Sequence, residues 1–354
     1  MLAKFAKILA LSRQRSKEGH VSLPRQLGEM IVLYVLRDVG PRYYHTAGFW
    51  RRSLRWNDKM RHLNAREYRR FVDRVNPPAY RKLSQNKVAE KAIITLFDLP
   101  TPRFLGRLAV GTGLDAHGRS LQNADELSTL IRYNRLERLV FKRLEGYGGK
   151  GVRIAEFRFS GETLLAAPLG EQDDREWVSI EEYCRSTLCL SQGSDWLIEE
   201  YLVQHAVMAG LNPLSVNTIR IWIYDRSRTG PVVVTAYVRI GRVDMYVDNA
   251  SSGGIVAPLD LATGKLRAAQ DAYADRRLYP RHPDHGSGIE GVVIPHWDSV
   301  QSLAKRTLSI FPNLCFAGLD IAIGEAGPVV LELNVIPDRE GAAFTDCPNA
   351  TLLQ

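Results

Sequence analysis

Two stretches of the sequence combine residue types that can handle phosphate groups and metal ions. In Val140-Phe141-Lys142-Arg143-Leu144-Glu145-Gly146-Tyr147-Gly148-Gly149-Lys150-Gly151-Val152, a lysine leaves the end of a strand-like run and a glycine-rich turn follows. Glycines let backbone N–H groups approach phosphate oxygens closely, and the lysine adds a point charge. No G-K-[ST] follows and the next element reads as a strand, so this is not a Walker A loop. A flexible hairpin tip explains the run equally well. The second stretch covers residues 316–323, a turn at 324–327, and Val329-Val330-Leu331-Glu332-Leu333-Asn334. Antiparallel neighbours with alternating side chains would present Asp320, Glu332 and Asn334 on one face and Ile321, Leu331 and Leu333 on the other. Three oxygen donors in an apolar hairpin are costly to bury without a partner. Mg2+ is such a partner, because it takes oxygen ligands and completes its shell with water and phosphate oxygens. A solvated hairpin face is the plainer alternative.

A third stretch, Trp196-Leu197-Ile198-Glu199-Glu200-Tyr201-Leu202, is a strand running into an irregular connection. The backbone of such a linker can meet an adenine edge, and an acidic side chain can accept from the adenine amino group or ribose hydroxyls. Taken alone it is also an edge strand with two surface carboxylates. Asp338, Arg339 and Glu340, just past the acidic hairpin, could hold a carboxylate or an amine. His282, His285 and His296 lack metal-ligand regularity and are expected at the surface; Trp50 and Trp56 read as core anchors of helices.

The elements that must carry these residues fall into two textures. Residues 1–80 read as helical, with one helix over 59–75 stopped by Asn76-Pro77-Pro78. Another begins near Ser84 and carries Lys87, Glu90 and Lys91 before Leu99-Pro100-Thr101-Pro102 ends it. From there strands are expected at 103–108, 138–142, 152–157, 196–200, 218–224, 232–240, 318–323 and 329–334. Helices are expected at 124–135, capped by Asn123, and at 179–185 and 299–309. Strands and helices mixed with antiparallel hairpins give an α+β (mixed α/β) fold class.

Composition narrows the classes further. The chain has 354 residues, 45% hydrophobic and 24% charged. That excludes a disordered tail, a collagen-like rod and a disulfide scaffold. Cys184, Cys189, Cys315 and Cys347 show no C-x-x-C spacing, so reduced thiols in a cytoplasm are expected. No apolar run approaches the roughly 20 residues of a membrane span. Residues 1–80 hold 17 Lys+Arg against 6 Asp+Glu, although the whole chain carries only +8. Such a patch suits an anionic membrane surface, an acidic polymer or nucleic acid, the last least expected, or simply a solvated helical surface. In residues 1–12, Leu2, Phe5 and Leu9 share one helical side while Lys4 and Lys7 interrupt any secretory signal. A basic amphipathic helix in peripheral contact with a bilayer stays open there beside an ordinary surface helix.

In order, Asn86-Lys87, Lys142 with the glycine loop, the hinge Glu199–Leu202 and Asp320…Glu332-x-Asn334 resemble the ATP-grasp superfamily over about residues 84–340. Ser215-Val216-Asn217-Thr218-Ile219-Arg220, Asp248-Asn249-Ala250-Ser251-Ser252-Gly253-Gly254 and Glu332-Leu333-Asn334-Val335-Ile336-Pro337 are similar to its sugar-transfer-associated branch. That branch is related to the α-L-glutamate ligases and often linked to cell-surface polysaccharide production. The resemblance implies two β-rich lobes clamping ATP: a basic helical region at 1–83, a first lobe at 84–205 and a second at 206–354. Lys87 and Lys142 would hold phosphates under a flap containing Gly148, Gly149 and Gly151. Glu199, Glu200, Tyr201 and Leu202 would frame the adenine. Asp320, Glu332 and Asn334 would ligate one or two Mg2+ ions, with Mn2+ able to substitute, and Arg220 and Lys142 would act on the transferring phosphoryl group. Gln204 or His205 occupies the stretch where relatives place a second carboxylate on the ribose. The basic helices stand where many relatives have an α/β domain. The implied reaction joins a carboxylate to an amine, on a metabolite or a glycan, through an acyl-phosphate. A hydroxyl phosphotransferase on the same scaffold, or a glycan- or membrane-binding module using the basic helices, are the competing readings.

Overall fold

Helices come first, and each boundary has a local cause. They are α1 (Leu2–Lys17), α2 (Leu23–Arg37), α3 (Pro41–Thr46), α4 (Trp56–Met60), α5 (Ala65–Val75), α6 (Pro78–Gln85) and α7 (Lys87–Leu96). This computed structural model describes residues 2–144, 151–169, 176–226, 228–243, 248, 253–272 and 275–350. The single helix expected over 59–75 is two. Asn64 accepts from Glu67 N at 2.8 Å while Glu67 Oε2 accepts from Asn64 N at 3.0 Å, a reciprocal cap that starts α5 afresh. Asn86 likewise separates α6 from α7 by accepting from Val88 N and Ala89 N.

The first sheet holds β1 (Phe104–Leu108), β2 (Leu114–Asp115), β3 (Arg138–Arg143), β4 (Val152–Ser160), β5 (Thr163–Pro168), β6 (Val178–Ser179) and β7 (Trp196–Glu200). Their order is β2-β1-β7-β3-β4-β5-β6, antiparallel throughout among the described residues. α8 (Ala124–Asn134) and the short α9 (Ile180–Glu182) cover one face. Alternation does the sorting: Leu139, Phe141, Ala155 and Ile198 enter that core, while Val140, Lys142, Ile154 and Glu199 face the other way.

After α10 (Ala206–Ala209) the second sheet follows: β8 (Thr218–Tyr224), β9 (Val232–Ile240), β10 (Ile255–Pro258), β11 (Ala269–Asp271), β12 (Leu278–Tyr279), and, after α11 (Trp297–Ser309), β13 (Phe316–Gly324) and β14 (Gly327–Asn334). The order is β12-β11-β10-β9-β8-β13-β14. Ile219, Ile221, Ile223, Leu319, Ile321 and Ile323 pack with Val300, Leu303 and Leu308 of α11. The opposite face is divided along its length. Trp222, Tyr224 and Phe316 pack against Leu63, Tyr68, Phe71 and Val72, so the basic helices rest on this sheet. Thr218, Arg220 and Asp320, on the same face, line the cleft between the sheets. The final α12 (Glu340–Phe344) closes on that aromatic layer, where Gly341 leaves room for Trp222: a Cβ there would come within 2.9 Å of the indole. Residues 84–96, expected with the first lobe, place Ile94 of α7 in the core of the second.

Candidate active site

The floor of the cleft is a chain of alternating charges. Cross-strand pairing sets Asp320 of β13 opposite Arg220 of β8. Arg220 Nε donates to Asp320 Oδ1 at 2.5 Å, its second nitrogen to Oδ2 at 3.1 Å, and Arg239 of β9 donates to Oδ2 at 2.8 Å. Arg239 is itself held by Thr218 Oγ1 at 3.0 and 2.7 Å and faces Asp248 at 3.6 Å. Asp248 accepts from both the backbone N–H and the hydroxyl of Thr218. Burial pushes the Asp320 carboxyl up, but the two guanidinium groups outweigh it and hold it below the usual carboxylate range. Burial dominates at Asp248 and raises it.

The hairpin β13–β14 brings Asp320, Glu332 and Asn334 to the cleft as expected. Leu331, expected on the opposite face, lines the cleft too. Asp320 pairs with Glu332 and Ile321 with Val330, so one extra residue, Leu331, bulges from β14. The bulge lets Val330 and Leu333 both enter the core while Leu331 and Glu332 face the cleft. Glu90 of α7 supports it: its Oε1 accepts from Leu333 N at 3.2 Å. Glu332, 37% exposed, lies 3.8 Å from Lys87 Nζ.

On the first sheet, Lys142 Nζ lies 2.5 Å from Glu199 Oε2, and Lys91 Nζ 2.5 Å from Glu199 Oε1. Burial raises the Glu199 carboxyl, but the two ammonium groups more than reverse this, Lys142 foremost, and leave it below its ordinary value. Lys142 is pushed down by burial, yet Glu199 lifts it above the ordinary lysine value, so it is a fixed cation. Val140, Val152, Ile154, Tyr201 and Leu202 form an apolar wall nearby. Glu200 reaches the rim, where it pairs with Arg103 at 2.9 Å. Gly151 begins the described part of the loop, and a Cβ there would meet Arg143 at 2.8 Å. Gly148 and Gly149 lie outside the described residues, as does Asn249.

Several expectations change here. Gln204 is saturated by structure: its amide holds Asn212 O, Ser215 O and the backbone and side chain of Asn217. His205 caps α10 by accepting from Val207 N. Both take part in shaping the loop that follows β7. His282 is buried and bonded to Gly241 O at 2.9 Å, not at the surface. Lys91, Arg239, Thr218 and Asp248 went unread as site residues. Lys91 carried a signal, since it sits four residues after Lys87 on the same helical side. Arg239 looked like an ordinary outward strand residue.

The donors suit a hard cation. Glu332 and Asn334 offer a carboxylate and an amide oxygen at the cleft, and Asn334 Nδ2 is buried without a hydrogen-bond partner among the described residues. Among those residues no three His, Cys, Asp or Glu side chains cluster as metal ligands do.

Among curated proteins none matches the chain. Solved structures resemble the chain at low identity and low structural overlap. D-alanine–D-alanine ligase from Bacillus anthracis is 16% identical with a TM-score of 0.37, covering 72% of this chain and 58% of its own. The corresponding ligase from Coxiella burnetii is 10% identical with a TM-score of 0.38, covering 72% of this chain and 48% of its own. The chain thus spans about half the length of these ligases. A D-cycloserine synthetase is 12% identical with a TM-score of 0.45, covering 92% of this chain and 95% of its own. The family model for sugar-transfer associated ATP-grasp proteins matches residues 66–354, which takes in all but the first residue of α5, both sheets and every charged group lining the cleft. The chain belongs to the sugar-transfer associated ATP-grasp family.

Proposed function

We propose that the protein is an ATP- and Mg2+-dependent carboxylate–amine ligase. One observation carries this reading: Lys87, Lys142, Arg220, Arg239, Glu332 and Asn334 converge on one cleft that Val140, Ile154, Tyr201 and Leu202 also line. The apolar wall of Val140, Ile154 and Leu202 suits a purine, with the Glu199–Leu202 backbone along its edge. Lys142, kept cationic by Glu199, and Lys87 suit the phosphates. Glu332 and Asn334 would hold one or two Mg2+ ions, or Mn2+ in their place; Asp320, expected as a third ligand, has both oxygens taken by Arg220 and Arg239 and sets those arginines instead. Such an ion neutralises phosphate charge during phosphoryl transfer.

The chemistry needs activation because a carboxylate lacks a leaving group. Its oxygen attacks the γ-phosphorus, the bond to ADP breaks, and an acyl-phosphate forms. An amine nitrogen then attacks the acyl carbon, loses a proton, and expels phosphate. Arg220 and Arg239, fixed by Asp320 and Asp248, supply positive charge that does not reorganise as the reaction proceeds. The cytoplasm, with its ATP and reduced thiols, is the compartment this reading assigns.

The test is ADP and phosphate release against a panel of amino acids, amino sugars and uronic acids. Equal release of both products with an amide formed is the expected outcome. A phosphorylated acceptor without free phosphate would identify a hydroxyl phosphotransferase, and calorimetry showing no binding of adenine nucleotides with magnesium would reject both.

A further inference from the structure

From Met30 to Leu36, α2 carries large apolar side chains on its outward as well as its inward side. Met30 and Leu33 point into the core of the helical region, and the buried Glu29 is paired there with Lys59 at 2.7 Å and bonded by Tyr44 at 2.8 Å. The outward side is apolar as well: Ile31 is 65% exposed, Val32 39%, Tyr34 60%, Val35 72% and Leu36 64%. At about 100° per residue, Gly28, Ile31, Val32 and Val35 share one side with Tyr34 and Leu36 at its margins. A lone exposed leucine needs no explanation, but a whole helix face of large apolar side chains does.

Length and charge select the occupant. α2 has 15 residues, about 22 Å at ~1.5 Å each, against a hydrocarbon core of ~30 Å. Among the described residues no helix is long and apolar enough to cross a membrane. A helix too short to span and too apolar for water belongs in the plane of an interface. α1 runs beside it, tied by Gln26 Nε2 to Ser12 O at 3.1 Å, and shows exposed Phe5, Arg13 and Lys17. Arg25, 65% exposed, stands in the first turn of α2. The first 80 residues hold 17 basic against 6 acidic groups. A second copy docked symmetrically here would bring like-charged regions together, whereas anionic lipid is attracted to them.

We propose that the α1–α2 hairpin is a surface anchor that lays the outward face of α2 into the interfacial layer of a bilayer rich in anionic lipid. The basic amphipathic character of α1, which suggested membrane contact in the sequence, plays the electrostatic part, and α2 supplies the insertion. This holds whatever reaction the cleft performs.

The experiment is co-sedimentation of the full chain with vesicles of phosphatidylcholine alone or mixed with phosphatidylglycerol. Binding is expected to the mixed vesicles only and to weaken as salt rises. The double variant Ile31→Ser with Val35→Ser alters exposed side chains and should keep the wild-type melting temperature while losing about tenfold or more in partitioning. Arg13→Glu with Lys17→Glu should lose about fivefold per residue on the mixed vesicles. The proposal is overturned if the chain ignores both kinds of vesicle, if the serine variant binds as the wild type does, or if ultracentrifugation shows a dimer that the serine variant dissociates.

Discussion

Asp320 and Glu332 face each other across one hairpin, yet their surroundings give them different physical roles. Both oxygens of Asp320 are already engaged by Arg220 and Arg239, deep in the cleft floor. Removing its charge leaves the buried Arg220 guanidinium without its carboxylate and Arg239 with Asp248 alone, a change that costs about 3–5 kcal/mol. Asp320→Asn is therefore expected to abolish turnover and to lower the urea midpoint together. Glu332 is 37% exposed and only loosely paired with Lys87. Glu332→Gln should cut turnover by on the order of a hundredfold or more while unfolding free energy stays within about 0.5 kcal/mol. Steady-state kinetics and urea unfolding on the two variants separate the roles; equal destabilisation would show that Glu332 is structural. Arg220→Lys should resemble Asp320→Asn more than Glu332→Gln, because lysine cannot reproduce the two-pronged contact.

At the scale of elements, the junction between α5 and β13 depends on one side chain. Asn76 is fully buried: its amide nitrogen donates to Phe316 O at 2.6 Å and Val335 O at 2.8 Å, and its oxygen accepts from Cys315 N and Phe316 N. Asn76→Ala should cost about 3 kcal/mol, because those buried backbone groups lose their partners. The helices themselves carry an acid sensitivity. Burial pushes His45 down to about 4 and His62 down to about 3, where they bond Ser12 and Tyr43. The folded chain keeps both neutral while the unfolded chain takes up protons below about 6.5. Their contribution to stability is complete above that pH and is lost as pH falls toward the folded values. Urea unfolding at pH 7 and pH 4.5 should show the loss, on the order of 2–3 kcal/mol per histidine, and His62→Gln should remove its share. Much of this layout was legible. Regular alternation located β7, β8 and β9 to the residue, and it put Asp320, Glu332 and Asn334 at one place. The Leu331 bulge was not legible, because a single inserted residue leaves no mark in a run that is apolar anyway. The break at Asn64 was hidden for a related reason: the apolar spacing from Met60 to Val75 survives an interruption by a cap. Arg239 escaped because Asp320 is distant in sequence and Asp248 lies past the end of β9, so the three meet only once the sheet is assembled.

The whole molecule is better described by its layers than by its order along the chain. If the basic helices at 1–83 were a region apart from the two lobes, a chain lacking residues 1–80 would keep its fold. The layering predicts otherwise. Tyr68 stacks on Trp222 with ring centroids 6.0 Å apart, and Phe71 meets Phe316 edge-on at 5.4 Å. Tyr68 also donates to Pro337 O at 2.9 Å, just past the acidic hairpin, and Asn349 accepts from Leu63 N at 2.6 Å. Arg51 pairs with Asp346 at 2.5 Å. Deleting the helices would strip one face of the second sheet and leave Trp222, Tyr224 and Phe316 in water on the strands that carry Arg220 and Asp320. The deleted chain should therefore aggregate or bind a hydrophobic dye strongly, and it should lose nucleotide binding with its fold. Phe71→Ala is the milder form of the same experiment. It should cost about 3–5 kcal/mol by emptying the centre of the aromatic layer. Because that layer and the cleft share β8 and β13, nucleotide affinity should fall in proportion to the folded fraction read by near-ultraviolet circular dichroism. A deleted chain that stays soluble, binds no dye and keeps nucleotide affinity would show the helices to be separable after all.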